Sequence, residues 1–395
     1  MEPKLRFPEF NSNWTHDNLE NVAEIFDGTH QTPLYTKTGV RFVSVENIED
    51  IYKSEKYISH EEYDKYKNKP QINDILMTRI TAGVIGETAM VTKDVPLAYY
   101  VSLALIRCEK LFPSYVEKYI HSIQFRKELY KRIIHTAFPK KINLGDIGKC
   151  LVGITNEQEQ QKIAEFLSTV DTVIEKQKET VSAWEERKKG VMQKLFSQEV
   201  RFKADDGSEF PDWEEKHFSE IFEKTTNKNT CYGTDKIISV ANMYYKADAS
   251  VSNEDYLKTY NVMLYGDIAF EGNKSKRFSH GRLVANTIGD GIVSHVFDVF
   301  HPIDKTIYHL PYWKEYINYE PIMGRILVRC TKSSTMMTNL VAKDFLKEKI
   351  LIPCLAEQQK IADCLSSLDE VIEKQKATLA AWEELKKGLL QQMFI

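Results

Sequence analysis

The residues most able to do chemistry sit in short polar loops. DGTHQTP sets Thr29, His30, Gln31 and Thr32 in one turn, and MTRIT adds Arg79 and Thr81. Arg126, Lys127, Lys131, Arg132, His135, Lys140 and Lys141 then crowd a single stretch. The second half offers Asn273, Lys274, Lys276 and Arg277, followed by His280 and Arg282, and later Lys332, Ser333, Ser334 and Thr335. Arginine, asparagine and glutamine can make paired hydrogen bonds to base edges, whereas lysine and serine suit phosphate oxygens. Any one cluster also fits an ordinary solvated face. The nucleic-acid reading gains weight because both halves show a cluster after a helical stretch and before a heptad helix.

Traces of catalysis are few. There is no GxxxxGKS/T for nucleotide phosphates and no GxGxxG opening a helix. The Asn-Pro-Pro-aromatic signature of amino methyltransferases is missing as well. FPDWEEK carries Asp212, Glu214 and Lys216, but metal-binding carboxylates of nucleases come from separate strands. HQTP and SHGR hold lone histidines without a second ligand at metal spacing, and SSTMMT has no base beside a candidate serine. The chain alone reads as a non-enzyme.

These loops must be positioned by something, and the totals bound what. A chain of 395 residues with 42% apolar residues implies more than one globular core. A net charge of -4 gives no global basic field, so any nucleic-acid binding must be local. The longest apolar runs are too short to span a bilayer, and the start MEPKLRFPEF has no apolar signal-peptide core. Six cysteines, scattered singly, read as reduced thiols in a cytoplasmic protein.

The main fact is an internal repeat. Residues 159–196 align without a gap onto residues 357–394, with about 25 of 38 positions identical. In the first copy Ile163, Leu167, Val170, Ile174, Gln177, Val181, Trp184, Lys188, Val191 and Leu195 alternate steps of four and three. Ile361, Leu365, Leu368, Ile372, Gln375, Leu379, Trp382, Lys386, Leu389 and Met393 repeat that seam. A 3.5-residue period predicts coiled-coil helices. Fainter echoes join the segments in front: LRFPEF with VRFKADD, FVSVENI with IISVANM, NDILM with GDIAF, and INLGDI with TNLVAKDF.

The chain therefore reads as two copies of one unit, a variable mixed α/β module followed by a similar helix. Short apolar runs around Gly83 and Gly86 suggest a hairpin; residues 114–135 and 312–327 have helical periodicity. A compact module between the helices brings its ends together, so the helices should pair antiparallel. LRFPEF stands at the start as VRFKADD stands after the first helix, like a ring opened before residue 1. The expected fold class is α+β, with two pseudo-symmetric modules separated by a pair of long antiparallel coiled-coil helices. The boundaries are 1–154 and 199–353 for the modules, and 155–198 and 354–395 for the helices.

In this architecture the chain resembles the specificity (S) subunit of type I restriction–modification systems. The stretches that carry the likeness are LRFPEF with NW, DGTHQTP with GVRFVSVENI, EGNKSK, GIVSHVF and the two EQQKIA-to-AWEE helices. The resemblance covers essentially the whole chain. It implies two target-recognition domains, each reading one half of a bipartite duplex DNA sequence. It also implies helices that dock two modification (M) subunits, which methylate adenine with S-adenosylmethionine. Two restriction (R) subunits would add ATP- and Mg-dependent translocation and cleavage, and no cofactor would bind this chain. With the seam internal, docking falls to the outer helix faces and ends, including Lys188, Lys189, Lys386 and Lys387. A competing expectation is a coiled-coil scaffold whose modules bind protein partners; another is a nuclease with an unrecognised site.

Overall fold

A computed structural model of the chain describes residues 2–246, 254–333 and 337–395. The chain divides into two compact units, Met1–Thr180 with Lys376–Ile395, and Val181–Gln375. Each unit joins one module to the start of one long helix and the end of the other.

The first unit is built on a four-stranded antiparallel sheet in the order Ala23–Asp27, Leu103–Cys108, Ile75–Thr78 and Thr88–Met90. The apolar run ILMT is buried at every position, as expected of a central strand covered on both faces. The second unit repeats the sheet with Phe222–Thr225, Val299–Pro302, Ile268–Glu271 and Arg282–Ala285. Each periodic helical stretch becomes two helices. Pro113–Ile120 and Ile123–Arg132 are parted at Ser122, whose hydroxyl caps the second helix by accepting from Phe125 N at 3.2 Å. Their counterparts are Leu310–Tyr316 and Glu320–Cys330, each with a proline in its first turn, where a missing N–H costs nothing. The apolar run GIVSHVFDVFHP forms two strands, Gly291–Val293 and Val299–Pro302.

The heptad stretches form the helices Glu157–Phe196 and Leu355–Gln392. In the first unit, Ile163, Leu167, Val170 and Ile174 share a core with Leu379, Trp382, Leu389, Leu390 and Met393. In the second, Leu195 and Phe196, with Val191 beside them, share a core with Ile361, Leu365 and Leu368. The start of one helix meets the end of the other in each unit, so the pairing is antiparallel.

A buried ion pair ties each module to the first turn of a long helix. Arg6 donates from Nε to Glu159 Oε1 at 2.7 Å and from Nη2 to Oε2 at 2.9 Å. Arg201 repeats this on Glu357 at 3.0 and 2.8 Å, and Trp213 Nε1 adds a third donor at 3.1 Å. Glu159 and Glu357 are both 0% exposed. The following glutamine works the other way. Gln160 accepts from Phe112 N and donates to Thr155 O; Gln358 accepts from His309 N and donates to Ile307 O and Pro353 O. The shared EQQKIA is therefore a clasp. The arginine explains why LRFPEF and VRFKADD look alike. Leu5 N donates to Gln392 O at 2.9 Å as Val200 N donates to Lys194 O at 3.2 Å, which is the ring-like arrangement the repeat predicted.

A second repeated contact corrects two expectations. Lys188, expected on the docking surface, is only 16% exposed and binds Asp369 at 2.7 Å and Glu315 at 2.9 Å. Lys386 binds Asp171 at 2.6 Å, and Lys118 meets the same Asp171 at 2.7 Å. A lysine at a seam position can place its ammonium beside the opposing helix while its stem lies along the apolar seam. Lys189 and Lys387 stay largely exposed, with only loose partners one turn back at 3.9 and 3.4 Å.

Beside Lys118 lies Glu117. Burial alone would raise its carboxyl, but the hydrogen bond from His121 and the charge of Lys118 outweigh that and bring it from 4.5 down to about 2. The folded value lies below the unfolded one, so the stability it contributes is complete above about pH 4.5 and is lost as pH falls toward 2. Amide exchange of the first unit should accelerate across that window, and Glu117→Gln should flatten the dependence. In the second unit, Glu357→Ala leaves Arg201 and Trp213 without their acceptor. It should cost about 3 kcal/mol, read as faster amide exchange in the first turn of the second long helix.

Candidate nucleic-acid interface

In the first unit, one carboxylate gathers the segments that the sequence set apart. Asp27 Oδ1 accepts from Arg79 Nη2 at 3.1 Å, and Asp27 Oδ2 lies 2.7 Å from His30 Nε2. Arg79 also donates from Nε to Val101 O at 2.9 Å and from Nη1 to Ile142 O at 3.1 Å. Its backbone carbonyl accepts from Ile142 N at 3.0 Å. This fixes the two-stranded ladder in which Thr81 faces Lys140 and Ile80 faces Lys141.

Arg79 was expected to read bases; at 7% exposure its guanidinium is a strut between loops instead. Three of its five N–H donors already meet two carbonyls and a carboxylate, and its burial leaves little of the guanidinium to face a ligand. The contact that the sequence did not reveal is Asp27, the D of DGTHQTP.

Gly28, next in line, is required by close approach: a Cβ there would lie 2.5 Å from the Tyr100 carbonyl. Thr29 is half-buried and bridges Tyr100 through its backbone, while its hydroxyl donates to Gln31 O. His30, Gln31, Thr32, Lys140 and Lys141 point outward as exposed residues. Thr81 is half-buried, with its hydroxyl accepting from Gly83 N. Neither Lys140 nor Lys141 has an acidic partner among the described residues. A cleft of about 230 Å³ opens beside Thr29 between residues 65–70 and 97–99, and Lys67 on its wall is exposed. Nothing in the sequence pattern sets this KYKNKP run apart, because its lysines directly follow Glu61, Glu62 and Asp64.

The second unit has the same frame with other side chains. Thr338 N donates to Gly272 O at 2.8 Å, in the place of the Ile142–Arg79 bond, and Asn273 bridges Met337. Gly272 is as constrained as Gly28, since a Cβ would lie 2.1 Å from Thr338 O. Glu271 does the work of Asp27: it accepts from Asn273 Nδ2 at 2.9 Å and from Arg282 Nε at 2.9 Å. Asn273, Lys274, Lys276 and Arg277 are exposed, and the Arg277 guanidinium lies 5.1 Å from the Phe278 ring centroid. Lys332 is exposed on the hairpin Thr331–Ser333/Thr338–Leu340. Ser333 closes that strand, and Ser334 lies outside the described residues.

Among the described residues, no group of three or more His, Cys, Asp or Glu could hold a metal ion, and no helix is long and apolar enough to cross a membrane. All six cysteines are free.

Comparison with known proteins agrees with this frame. Residues 11–182 and 211–381 each match the family described as type I restriction modification DNA specificity domain. The chain is 25% identical to the putative type I restriction enzyme MjaX specificity subunit of Methanocaldococcus jannaschii, over 98% of this chain and 94% of that protein. It is 26% identical to the MjaVIII specificity subunit of the same organism, over 59% of this chain and 58% of that protein. Among solved structures, the S subunit of the type I system of M. genitalium matches with a TM-score of 0.56 at 16% identity, covering 100% of this chain and 99% of that one. A chain solved in work on complex assembly and conformational transition of the type I system matches at 0.57 and 14% identity, with 97% of each covered.

The loops predict a divided mutational response. Arg277→Ala should cost about 1–3 kcal/mol of DNA binding and relax preference at one base pair. Lys140→Ala should weaken binding evenly across sequences and lower the salt slope by about one. Titrating duplexes at several salt concentrations separates the two, and equal, sequence-blind losses would remove Arg277 from base reading.

Proposed function

This chain belongs to the type I restriction modification DNA specificity family, and on that premise we propose that each unit reads one half of a two-part duplex DNA target through its paired loops. The observation that carries the reading is the repeated backbone frame. Ile142 N on Arg79 O and Thr338 N on Gly272 O hold equivalent loop pairs in the two units, yet the exposed side chains differ. Two frames alike in backbone and unlike in chemistry are what a divided target with two different halves requires.

In the first unit, His30, Gln31, Thr32 and Thr81 offer hydrogen-bonding groups to base edges, and Lys140 and Lys141 suit phosphates. In the second, Asn273 and Arg277 suit base edges, while Lys274, Lys276 and Lys332 suit phosphates. Thr29, Arg79, Asp27 and Glu271 position these loops.

The chain would act as the recognition part of a larger assembly. Modification subunits, two in number, would dock on the exposed helix faces, including Lys189 and Lys387, and bring S-adenosylmethionine for adenine methylation. Two restriction subunits would bring ATP and Mg for cleavage. Six free thiols suit the reducing cytoplasm.

The test is methylation mapping in cells that carry the chain with its modification subunit. A bipartite adenine-methylated motif is expected, and highly purified chain alone should transfer no methyl group. Methylation without a fixed motif would overturn the reading. The long helices should also set the separation of the half-sites. Four helix-forming residues inserted after Phe196 add roughly 6 Å of helix, the rise of about two base pairs. Both half-site sequences should persist while the spacer grows by one or two base pairs. An unchanged spacer would show that the helices do not set it.

A further inference from the structure

Phe138 is unlike the polar residues around it. It is a large aromatic side chain left 90% exposed, matched among the described apolar residues only by Leu34. Leu34 is flanked by Pro33 and Tyr35, and the Tyr35 ring packs on Phe42. Phe138 instead stands at the tip of a loop closed by the backbone pair Ile134 N to Lys141 O at 2.8 Å. The same loop is held from the other side by Lys140 facing Thr81, and by Ile142 N on Arg79 O. At its base the His135 ring packs against Tyr130 at a tilt, 4.5 Å between centroids. Pro139 follows and fixes its own φ, which removes one torsional freedom from the tip.

Lys140 and Lys141 follow at once, exposed and without an ion pair among the described residues. A phenyl ring has no hydrogen bond to give a base edge. What it offers is apolar area and a face to stack, presented beside cations that attract a phosphate backbone. Proteins that deform duplex DNA use this combination, inserting an apolar side chain between base pairs while basic residues hold the adjoining phosphates.

We propose that Phe138 is a wedge that enters the duplex at the first unit's half-site and opens one base step, with Lys140 and Lys141 seated on the flanking phosphates. This rests on the reading of the first unit as a DNA-reading surface. The cost of opening a step depends on which bases are stacked there, so the wedge would add sequence preference at a position no hydrogen bond reads.

The test uses the chain assembled with its modification subunit, and duplexes of the mapped target with 2-aminopurine placed in turn across the first half-site, the methylated adenine excepted. Binding should raise fluorescence at one step. Phe138→Ala should abolish that rise and weaken binding about tenfold, while Phe138→Leu keeps most of both. Because Phe138 is outside the core, the variants should fold normally. Unchanged fluorescence and affinity in Phe138→Ala would overturn the wedge, as would an affinity loss with no fluorescent step in the parent protein, which indicates packing in a groove. Loss of the modification subunit from Phe138→Ala would mark a protein contact and also overturn it. Lys140→Ala with Lys141→Ala separates the premise: weakened binding there beside a silent Phe138→Ala rejects the wedge alone, whereas no effect from either rejects the surface.

Discussion

Everything else in the molecule hangs on a carboxylate buried in the first turn of each long helix. Glu159 and Glu357 have no access to water, so each must be met by a guanidinium and by further donors, or the unit loses far more than a surface ion pair contributes. The arginine comes from the irregular segment that opens the module, and the next glutamine holds the loop that starts the module's helix pair. One turn of helix thereby fixes the entry of the chain, the module and the helix direction together. Helix propensity sets none of these.

The clasp also accounts for what could be read from sequence. The long helices were legible because a 3.5-residue period sustained over about thirty residues fits a coiled coil better than an amphipathic helix packed on a globular core, and the repeat made the reading double. The ring-like order was legible because Arg6 and Arg201 serve the same acceptor and so keep LRF and VRF alike. The role of the lysines in the KKG turns was not. Lys188 and Lys386 sit at seam positions, and only the positions of Asp369 and Asp171 on the opposing helix show that their charges are satisfied inside the pair.

The interface was legible as places rather than as partners. DGTHQTP, MTRIT and the Lys140–Lys141 pair do meet, across a sequence separation that no local pattern reports. What joins them is Asp27, whose signal in the sequence was only an aspartate before a glycine. Arg79 turns inward for a reason its sequence context does not carry. Exposed and buried arginines look alike in sequence, and the difference lies in the carbonyls of Val101 and Ile142 that happen to face it. Glu271 shows the same logic in the second unit, with Arg282 in place of a residue from the neighbouring loop.

The net charge of -4 now has a physical meaning. Many of the acids are spent internally: on Arg6 and Arg201, on Lys118, Lys188 and Lys386, and on the struts at Asp27 and Glu271. Such paired carboxylates contribute little field at a distance, and at physiological salt interactions beyond roughly 8–10 Å are screened. A phosphate approaching the loop tips therefore meets the nearest cations without an ion pair among the described residues, Lys140 and Lys141 in one unit and Lys276 and Arg277 in the other, rather than the molecule's total. Because the backbone frame beneath these tips is held by main-chain bonds and a buried strut, the exposed side chains can change without cost to the fold. That division lets the modules diverge until only their turns look alike, while the helices, whose seam positions are spent on packing and on the Lys188 and Lys386 ion pairs, keep about 25 of 38 positions identical.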